Sequence, residues 1–351
     1  MSVIRLAING YGRIGRCVLR ALYESGYRQS MQVVAINEPA DIATIAHLTQ
    51  YDSTHGRFNA QISARDGGLL VNDDFIAVSH VESLEALPWQ GLDVDVVLEC
   101  SGQFSERETL HVHCLRGARR VLLSQPGPAD ILAVVMGVNH HAIDSQETIL
   151  SAASCTSNCI VPVIDAIDRV FGIESGAIST IHSMMNDQPV LDAYHHTDLR
   201  KTRAASQSMI PVETGLAQGI GRILPNMEGR FTARALRVPT TNVSAIDLSL
   251  LLSRSVSVAE LNAELQRASE MSLQGILGVS QQPLASCDYN HDPRSGVVDL
   301  AQTGGSGRLV NIWVWFDNEW GYANRMLDVV SHWLHPVNLE NKTIKRNASC
   351  L

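Results

Sequence analysis

At 351 residues the chain is long enough for two domains of ordinary size, and its 45% apolar content lets each bury a core. A net charge of −9 argues against nucleic-acid binding, and no apolar run approaches the ~20 residues that would cross a membrane. The 7 cysteines show no paired spacing and Met1 leads almost directly into a strand, which fits a reducing compartment, the cytoplasm, better than a disulfide framework.

Residues 3–8 read as a strand and residues 14–25 as a helix closed by Gly26. Between them, Gly10, Gly12 and Gly15 fall at the spacing Gly-x-Gly-x-x-Gly. The first glycine permits a sharp turn, the second lets a pyrophosphate approach backbone, and the third lets helix and strand pack closely. The phosphates then rest on the helix N-terminus. A second strand at 32–36 ends in Asn37-Glu38, the expected distance downstream for a carboxylate on the adenosine ribose. Glu38 can accept from both ribose hydroxyls and repels a 2′-phosphate, so the predicted cofactor is NAD rather than NADP. Further apolar strands are expected at 94–98, 121–123 and 133–138. Alternation of strands with helices implies a doubly wound, mainly parallel α/β sheet over residues 1–153. Ser101 and Ser124 lie at strand ends, where a ligand sits in the crevice.

After a strand at 148–152 comes Ser154-Cys155-Thr156-Ser157-Asn158-Cys159, then a helix with Ile160, Val163, Ile164, Ile167, Val170 and Phe171 on its core face. A thiol at a helix N-terminus is expected to favour thiolate, which makes Cys155 a candidate nucleophile. A small buried side chain is the other reading of the same residue. Pro162 predicts a kink or a loosely wound first turn. A strand at 177–182 delivers His182, a candidate proton shuttle. Cations follow at Arg200, Lys201, Arg203 and Arg237, with Thr214 and Gly215 between them, a set suited to an anionic ligand. Strands at 243–252 and 309–316, separated by a helix at 258–273, make this half α+β with a mainly antiparallel sheet. Asp317 can cap a last helix reaching about His335, with Ala323, Met326, Leu327, Val330 and Leu334 on its apolar face. The resulting division is 1–153 for the dinucleotide, completed by the helix at 318–335, then 154–317 for catalysis and 336–351 as a tail. The histidines at 111, 113, 140, 141, 195 and 196 fall in no recognised ligand spacing, so no metal site is predicted.

Five segments together resemble the glyceraldehyde-3-phosphate dehydrogenase superfamily along nearly the whole chain. They are Ile8 to Arg16, Tyr51-Asp52-Ser53-Thr54-His55-Gly56-Arg57-Phe58, Ser154 to Cys159, Leu236-Arg237-Val238-Pro239 and Asp317 to Tyr322. The stretches His182 to Gln188, Thr202 to Ser208, Asn290-His291-Asp292-Pro293 and Gln302-Thr303 are similar to its erythrose-4-phosphate dehydrogenase branch. The resemblance implies Cys155 as nucleophile and His182 as the group that activates it. It implies that Arg13 and Ile14 hold the pyrophosphate and that Asn318 orients the nicotinamide amide. Ser154, Thr156, Lys201, Thr214, Gly215 and Arg237 would line the substrate side of a homotetramer. The implied reaction is NAD-dependent oxidation of D-erythrose 4-phosphate, a phosphorylated aldose, to 4-phosphoerythronate for vitamin B6 synthesis, with water opening the thioester. The alternative is a phosphorylating glyceraldehyde-3-phosphate dehydrogenase, whose pattern Gly215 follows. Met185 stands where the glyceraldehyde enzymes usually carry threonine, and Lys201 where arginine is common.

Overall fold

The computed structural model describes residues 3–195 and 197–335. The predicted tail at 336–351 and His196 lie outside the described residues. The first half builds β1 (Ile4–Asn9), β2 (Met31–Asn37), a small ladder of β3 (Tyr51–Asp52) and β4 (Gly56–Arg57), β5 (Ile62–Arg65), β6 (Gly68–Val71), β7 (Asp74–Ser79), β8 (Val96–Glu99), β9 (Arg120–Leu123) and β10 (Ile149–Ser151). Apart from the ladder these form one sheet in the order β10-β9-β8-β1-β2-β7-β6-β5, antiparallel only where β5, β6 and β7 pair. Leu6, Ala7 and Ile8 of β1 and Val96, Val97 and Leu98 of β8 are all fully buried. Burial on both faces explains why these strands read as continuous apolar runs rather than alternating ones.

Helices α1 (Arg13–Glu24), α2 (Ile42–Gln50) and α3 (Arg107–Leu115) belong to this half. Gly26, at φ 82°, follows α1 in the left-handed conformation that suits a glycine.

The strand expected at 133–138 does not form. Only Ala133 bridges, to Ser151, and the Asn139 side chain then takes the Val135 N–H and the Ala133 carbonyl, turning the chain. This run is apolar because it is shared between two cores: Val134 and Met136 join the first, Val135 and Val138 the second.

The second half contains α4 (Cys155–Phe171), β11 (Ile173–His182), β12 (Ile210–Val212), α5 (Leu216–Ile223), β13 (Phe231–Arg237), β14 (Ser244–Leu252), α6 (Val258–Glu270), β15 (Leu277–Ser280), β16 (Gly296–Ser306), β17 (Leu309–Phe316) and α7 (Trp320–Leu334). Its sheet runs β12-β13-β11-β14-β17-β16-β15 and is mixed, with β11·β13 and β15·β16 parallel and the other pairings antiparallel. The glycine-broken strand β16 is not marked by periodicity, since its register slips between Asp299 and Gly304.

The first turn of α4 is not loosely wound, and α6 is shorter than expected. α4 continues as one element through Pro162, and its first turn is closed by Asn158 N–H donating to the Ser154 carbonyl at 2.9 Å. Burial of Pro162 among Val161, Val163 and Ile167 opposes the propensity cost of an interior proline, about 3 kcal/mol. α6 ends at Glu270, earlier than expected, after a capping box of Ser257 and Glu260 fixes its start.

α7 returns to the first half. Its Ala323, Met326, Leu327 and Val330 share a core with Val18, Leu19 and Leu22 of α1. Asp317 Oδ1 accepts from the N–H groups of Glu319 (3.0 Å) and Trp320 (2.8 Å), which anchors the turn into α7 beside Asn318. No helix among the described residues is long and apolar enough to cross a membrane.

Candidate active site

Cys155 is the first residue of α4. Ser154 caps this helix, its hydroxyl accepting from the Ser157 N–H at 3.0 Å. The residue before it, Ala153, holds φ at 56°, uncommon for a residue with a side chain. Ser151 Oγ accepts from its N–H at 3.0 Å, and the Tyr322 hydroxyl donates to its carbonyl at 3.0 Å, so α7 and β10 together hold this turn. His182 ends β11, buried, with Nε2 3.7 Å from Cys155 Sγ. Its Nδ1 lies 2.8 Å from the Ser183 carbonyl. A carbonyl only accepts, so the proton resides on Nδ1 and the Nε2 lone pair faces the sulfur.

The expected standing thiolate is overturned by burial. Desolvation pushes the Cys155 thiol up to about 11, against the opposing pull of Arg237 and the backbone N–H groups of Thr156 and Cys155. Desolvation also lowers His182 to about 4, and the Arg237 charge acts in the same direction. Near neutrality the pair is therefore a thiol facing a neutral imidazole. That is the state needed for the sulfur to pass its proton to Nε2 as it attacks.

The His182 shift carries a stability prediction. Between about 4 and the ordinary 6.5 the unfolded chain binds a proton that the folded chain does not. Stability is thus full above that window and falls as pH drops through it, by about 3 kcal/mol from this group. Urea midpoints measured from pH 7 to pH 4 should fall more steeply for the wild type than for His182→Asn. Parallel curves would exclude His182 as the source.

Cys155 and His182 open onto a cleft of about 920 Å³ between the two sheets. Ser154 borders it, but Thr156, Lys201, Thr214, Gly215 and Arg237 stand outside its wall. Each has a local reason. Lys201 Nζ is drawn to Asp187 Oδ2 at 2.8 Å, and Thr214 Oγ1 accepts from the Leu216 N–H at 3.2 Å. Thr156 Oγ1 lies 2.9 Å from Ser154 Oγ, and Gly215 precedes the first turn of α5. Arg237 pairs across the sheet with His182, and its buried Nε and Nη1 have no hydrogen-bond partner within the described chain. Uncommitted guanidinium donors behind the catalytic pair suit an anion. Burial opposes ionisation of Asp187, but Lys201 and Arg237 outweigh it and hold the carboxyl below its usual range.

The cofactor side passes a steric test. Gly10 lies at φ 84°, and a Cβ there would come within 2.4 Å of the Ser101 backbone; one on Gly15 would meet the Gly10 carbonyl at 2.5 Å. Gly12 faces open space, as the position approached by phosphate requires. Glu38 directly follows β2, with Oε2 accepting from the Tyr11 N–H at 2.9 Å, next to the glycine turn. Arg13, Ile14, Ser101, Ser124 and Asn318 border the cleft. Asn318 Oδ1 accepts from the hydroxyls of Ser183 (2.9 Å) and Ser244 (2.8 Å), leaving Nδ2 as the donor it can offer to a bound amide.

Arg13 differs from expectation. Its guanidinium is held between Asp52 and Glu319, with Nε 2.7 Å from Glu319 Oε1. The backbone N–H groups at the start of α1 are the further donors this helix start offers to a pyrophosphate.

Gln125, Met184, Gln188 and Ser206 of the remaining wall fall in stretches already singled out in the sequence, whereas Val190 and Thr241 are not marked there as part of a site. Those two sit on irregular segments with no periodicity or chemical spacing to single them out. Cys17, His55 and Glu319 also place ligand atoms within 4.8 Å of one another, a cluster assembled from distant segments. Arg13 already neutralises Glu319 and burial pushes the Cys17 thiol up, so the cluster is poorly suited to a cation.

Residues 4–107 match the family described as glyceraldehyde 3-phosphate dehydrogenase, NAD binding domain, and residues 154–318 match glyceraldehyde 3-phosphate dehydrogenase, C-terminal domain. The chain belongs to the glyceraldehyde-3-phosphate dehydrogenase family. It is therefore an NAD-dependent oxidoreductase acting on phosphorylated aldehydes. In these family terms, the first sheet with its glycine turn is the NAD-binding part. The second match begins at Ser154, the residue that caps α4 beside Cys155.

Proposed function

We propose that this dehydrogenase oxidises D-erythrose 4-phosphate to 4-phosphoerythronate and that water opens the thioester. Cys155 Sγ adds to the aldehyde carbon while its proton moves to His182 Nε2. The resulting oxyanion is stabilised by the Cys155 backbone N–H and by the imidazolium, which returns the proton to complete a thiohemiacetal. Bound NAD supplies the hydride acceptor. His182, neutral again, removes the hydroxyl proton as the hydride leaves, and a thioester remains on Cys155. After that proton passes to solvent, His182 deprotonates the attacking water and the acid departs, restoring the thiol.

The observation that carries the choice of substrate is Met185. It is 44% exposed and lines the cleft near His182 with a thioether, where the glyceraldehyde enzymes usually offer a threonine hydroxyl. A thioether donates no hydrogen bond, so an inorganic phosphate that must attack the thioester loses a contact. A longer aldose phosphate is accommodated at the same place. Gly215, where an added Cβ would meet only open space, keeps the pattern of the phosphorylating enzymes and favours them as the second reading. kcat/KM for erythrose 4-phosphate and glyceraldehyde 3-phosphate, each with and without inorganic phosphate, separates the two. The four-carbon substrate should be preferred with no phosphate requirement. A phosphate-dependent preference for the three-carbon aldehyde would reverse the assignment.

The proposal extends to a cytoplasmic homotetramer whose product serves vitamin B6 synthesis. Val190, Leu191, Tyr194, Leu199 and Met209 are exposed on one irregular segment, an apolar surface that supports self-association. Sedimentation equilibrium should return four times the 38.3 kDa chain mass; a monomer mass at micromolar concentration would refute the assembly.

A further inference from the structure

A buried polar chain underlies the crevice edge of the first sheet, and none of the chemistry above uses it. Trp89 Nε1 lies 3.1 Å from His113 Nδ1. An indole nitrogen only donates, so His113 carries its proton on Nε2. That group donates to Glu99 Oε2 at 2.9 Å. From the opposite side, the Val81 N–H donates to Asn37 Oδ1 (3.0 Å) and Asn37 Nδ2 donates to Asn9 Oδ1 (2.9 Å). Asn9 Nδ2 then donates to Glu99 Oε2 at 2.6 Å. The Ser101 N–H and hydroxyl donate to Glu99 Oε1 at 2.8 and 2.5 Å. The direction of every bond is thereby set, and all of them end on one carboxylate. Glu99, His113 and Trp89 are 0% exposed, Asn9 2% and Asn37 6%.

The network sits directly beneath the cofactor contacts. Asn9 precedes Gly10, Asn37 precedes Glu38, and Glu99 is followed after one residue by Ser101. These are the ends of β1, β2 and β8, which are neighbours in the sheet. The clearance is small, since a Cβ on Gly10 would fall 2.4 Å from the Ser101 backbone. We propose that Glu99 is a positioning residue for NAD: as the shared acceptor of donors from the ends of β1 and β8 and from α3, with the end of β2 linked to it through Asn9, it sets the spacing of the loops that meet the cofactor without touching it. A carboxylate buried only to stabilise a core is an expensive choice, because well-packed apolar groups do that at lower desolvation cost.

Glu99→Gln keeps the size and replaces one acceptor oxygen with an NH₂ group. Whichever way the amide turns, it opposes a donor, either the Ser101 N–H or the pair from Asn9 and His113. His113 cannot reverse its tautomer while Trp89 donates to it. NAD affinity, read by equilibrium dialysis with no aldehyde present, should weaken roughly 10-fold, in keeping with one opposed buried donor. kcat at saturating NAD should fall less than affinity does, since saturation offsets weaker binding, and the rate of Cys155 alkylation by iodoacetamide without NAD should stay within about 2-fold, since it requires no cofactor. Trp89→Phe removes a core contact but leaves the donors of Asn9, Ser101 and His113 on Glu99, so W89F should keep NAD affinity within about 2-fold. A purely structural role predicts instead that both variants lose affinity in step with their loss of stability. Unchanged NAD affinity in folded E99Q, or a loss confined to kcat, overturns the proposal. If E99Q does not fold, Glu99→Asp, which keeps two acceptor oxygens but sets them back by one methylene, is read in its place, and wild-type NAD affinity in it, or failure of both to fold, reduces Glu99 to a core group. Because binding is measured without substrate, these outcomes are independent of which aldehyde is oxidised.

Discussion

Cys155→Ala eliminates aldehyde-dependent NADH formation and leaves NAD binding at its wild-type value. The sulfur is the only group the catalytic pair offers for covalent attack, with Nε2 of His182 3.7 Å away as its proton acceptor. Without it no thioester can form, and loss on the order of 10⁴-fold or more is expected, as for nucleophile deletions in other covalent enzymes. The cofactor contacts lie on β1, α1, β2 and β8, whose shared core Cys155 joins only as a partly buried neighbour at its edge. Alanine is also a good helix former at the start of α4, so the fold should lose no more than about 1 kcal/mol. Steady-state assay of purified protein together with a calorimetric NAD titration checks both halves. Measurable turnover that scales with variant concentration would remove Cys155 from the mechanism.

His182→Asn slows acylation by roughly 10²–10⁴-fold, the range for loss of a general base. In the wild type the thiol is pushed up to about 11 by burial, so thiolate is scarce near neutrality and reaction proceeds by proton transfer to the neutral imidazole. Single-turnover acylation should therefore be nearly level with pH above the histidine's value of about 4. In the variant only preformed thiolate reacts. Its rate should climb about tenfold per pH unit towards 11, narrowing the gap to wild type as pH rises. Asparagine retains hydrogen-bonding capacity and similar polarity, so the comparison isolates proton transfer. A variant with the wild-type profile would mean that another group takes the proton.

Legibility differed sharply between kinds of residue. The glycine turn was readable because its requirement is local: Gly10 and Gly15 lack room for a Cβ, and no other residue type meets that constraint. Cys155 and His182 were readable as helix-start and strand-end residues, since those positions follow from periodicity alone. The apolar run at 133–138 misled for the opposite reason. Its hydrophobicity answers to two cores at once, and a short buried run does not declare whether it is a strand or a turn. β16 was missed because its glycines interrupt the alternation that periodicity depends on.

The amino-acid order by itself determined the alternation of elements, the glycine cradle, the place of Cys155 at a helix start and that of His182 at a strand end. All of these are set by neighbours within a few residues. Only tertiary structure decided the protonation of the pair, the capture of Arg13 by Asp52 and Glu319, the withdrawal of Lys201 to Asp187, and the convergence of Asn9, His113 and Ser101 on Glu99. Each of these depends on burial or on partners far away along the chain. Desolvation and long-range pairing are properties of where the chain comes together, and no local pattern records them.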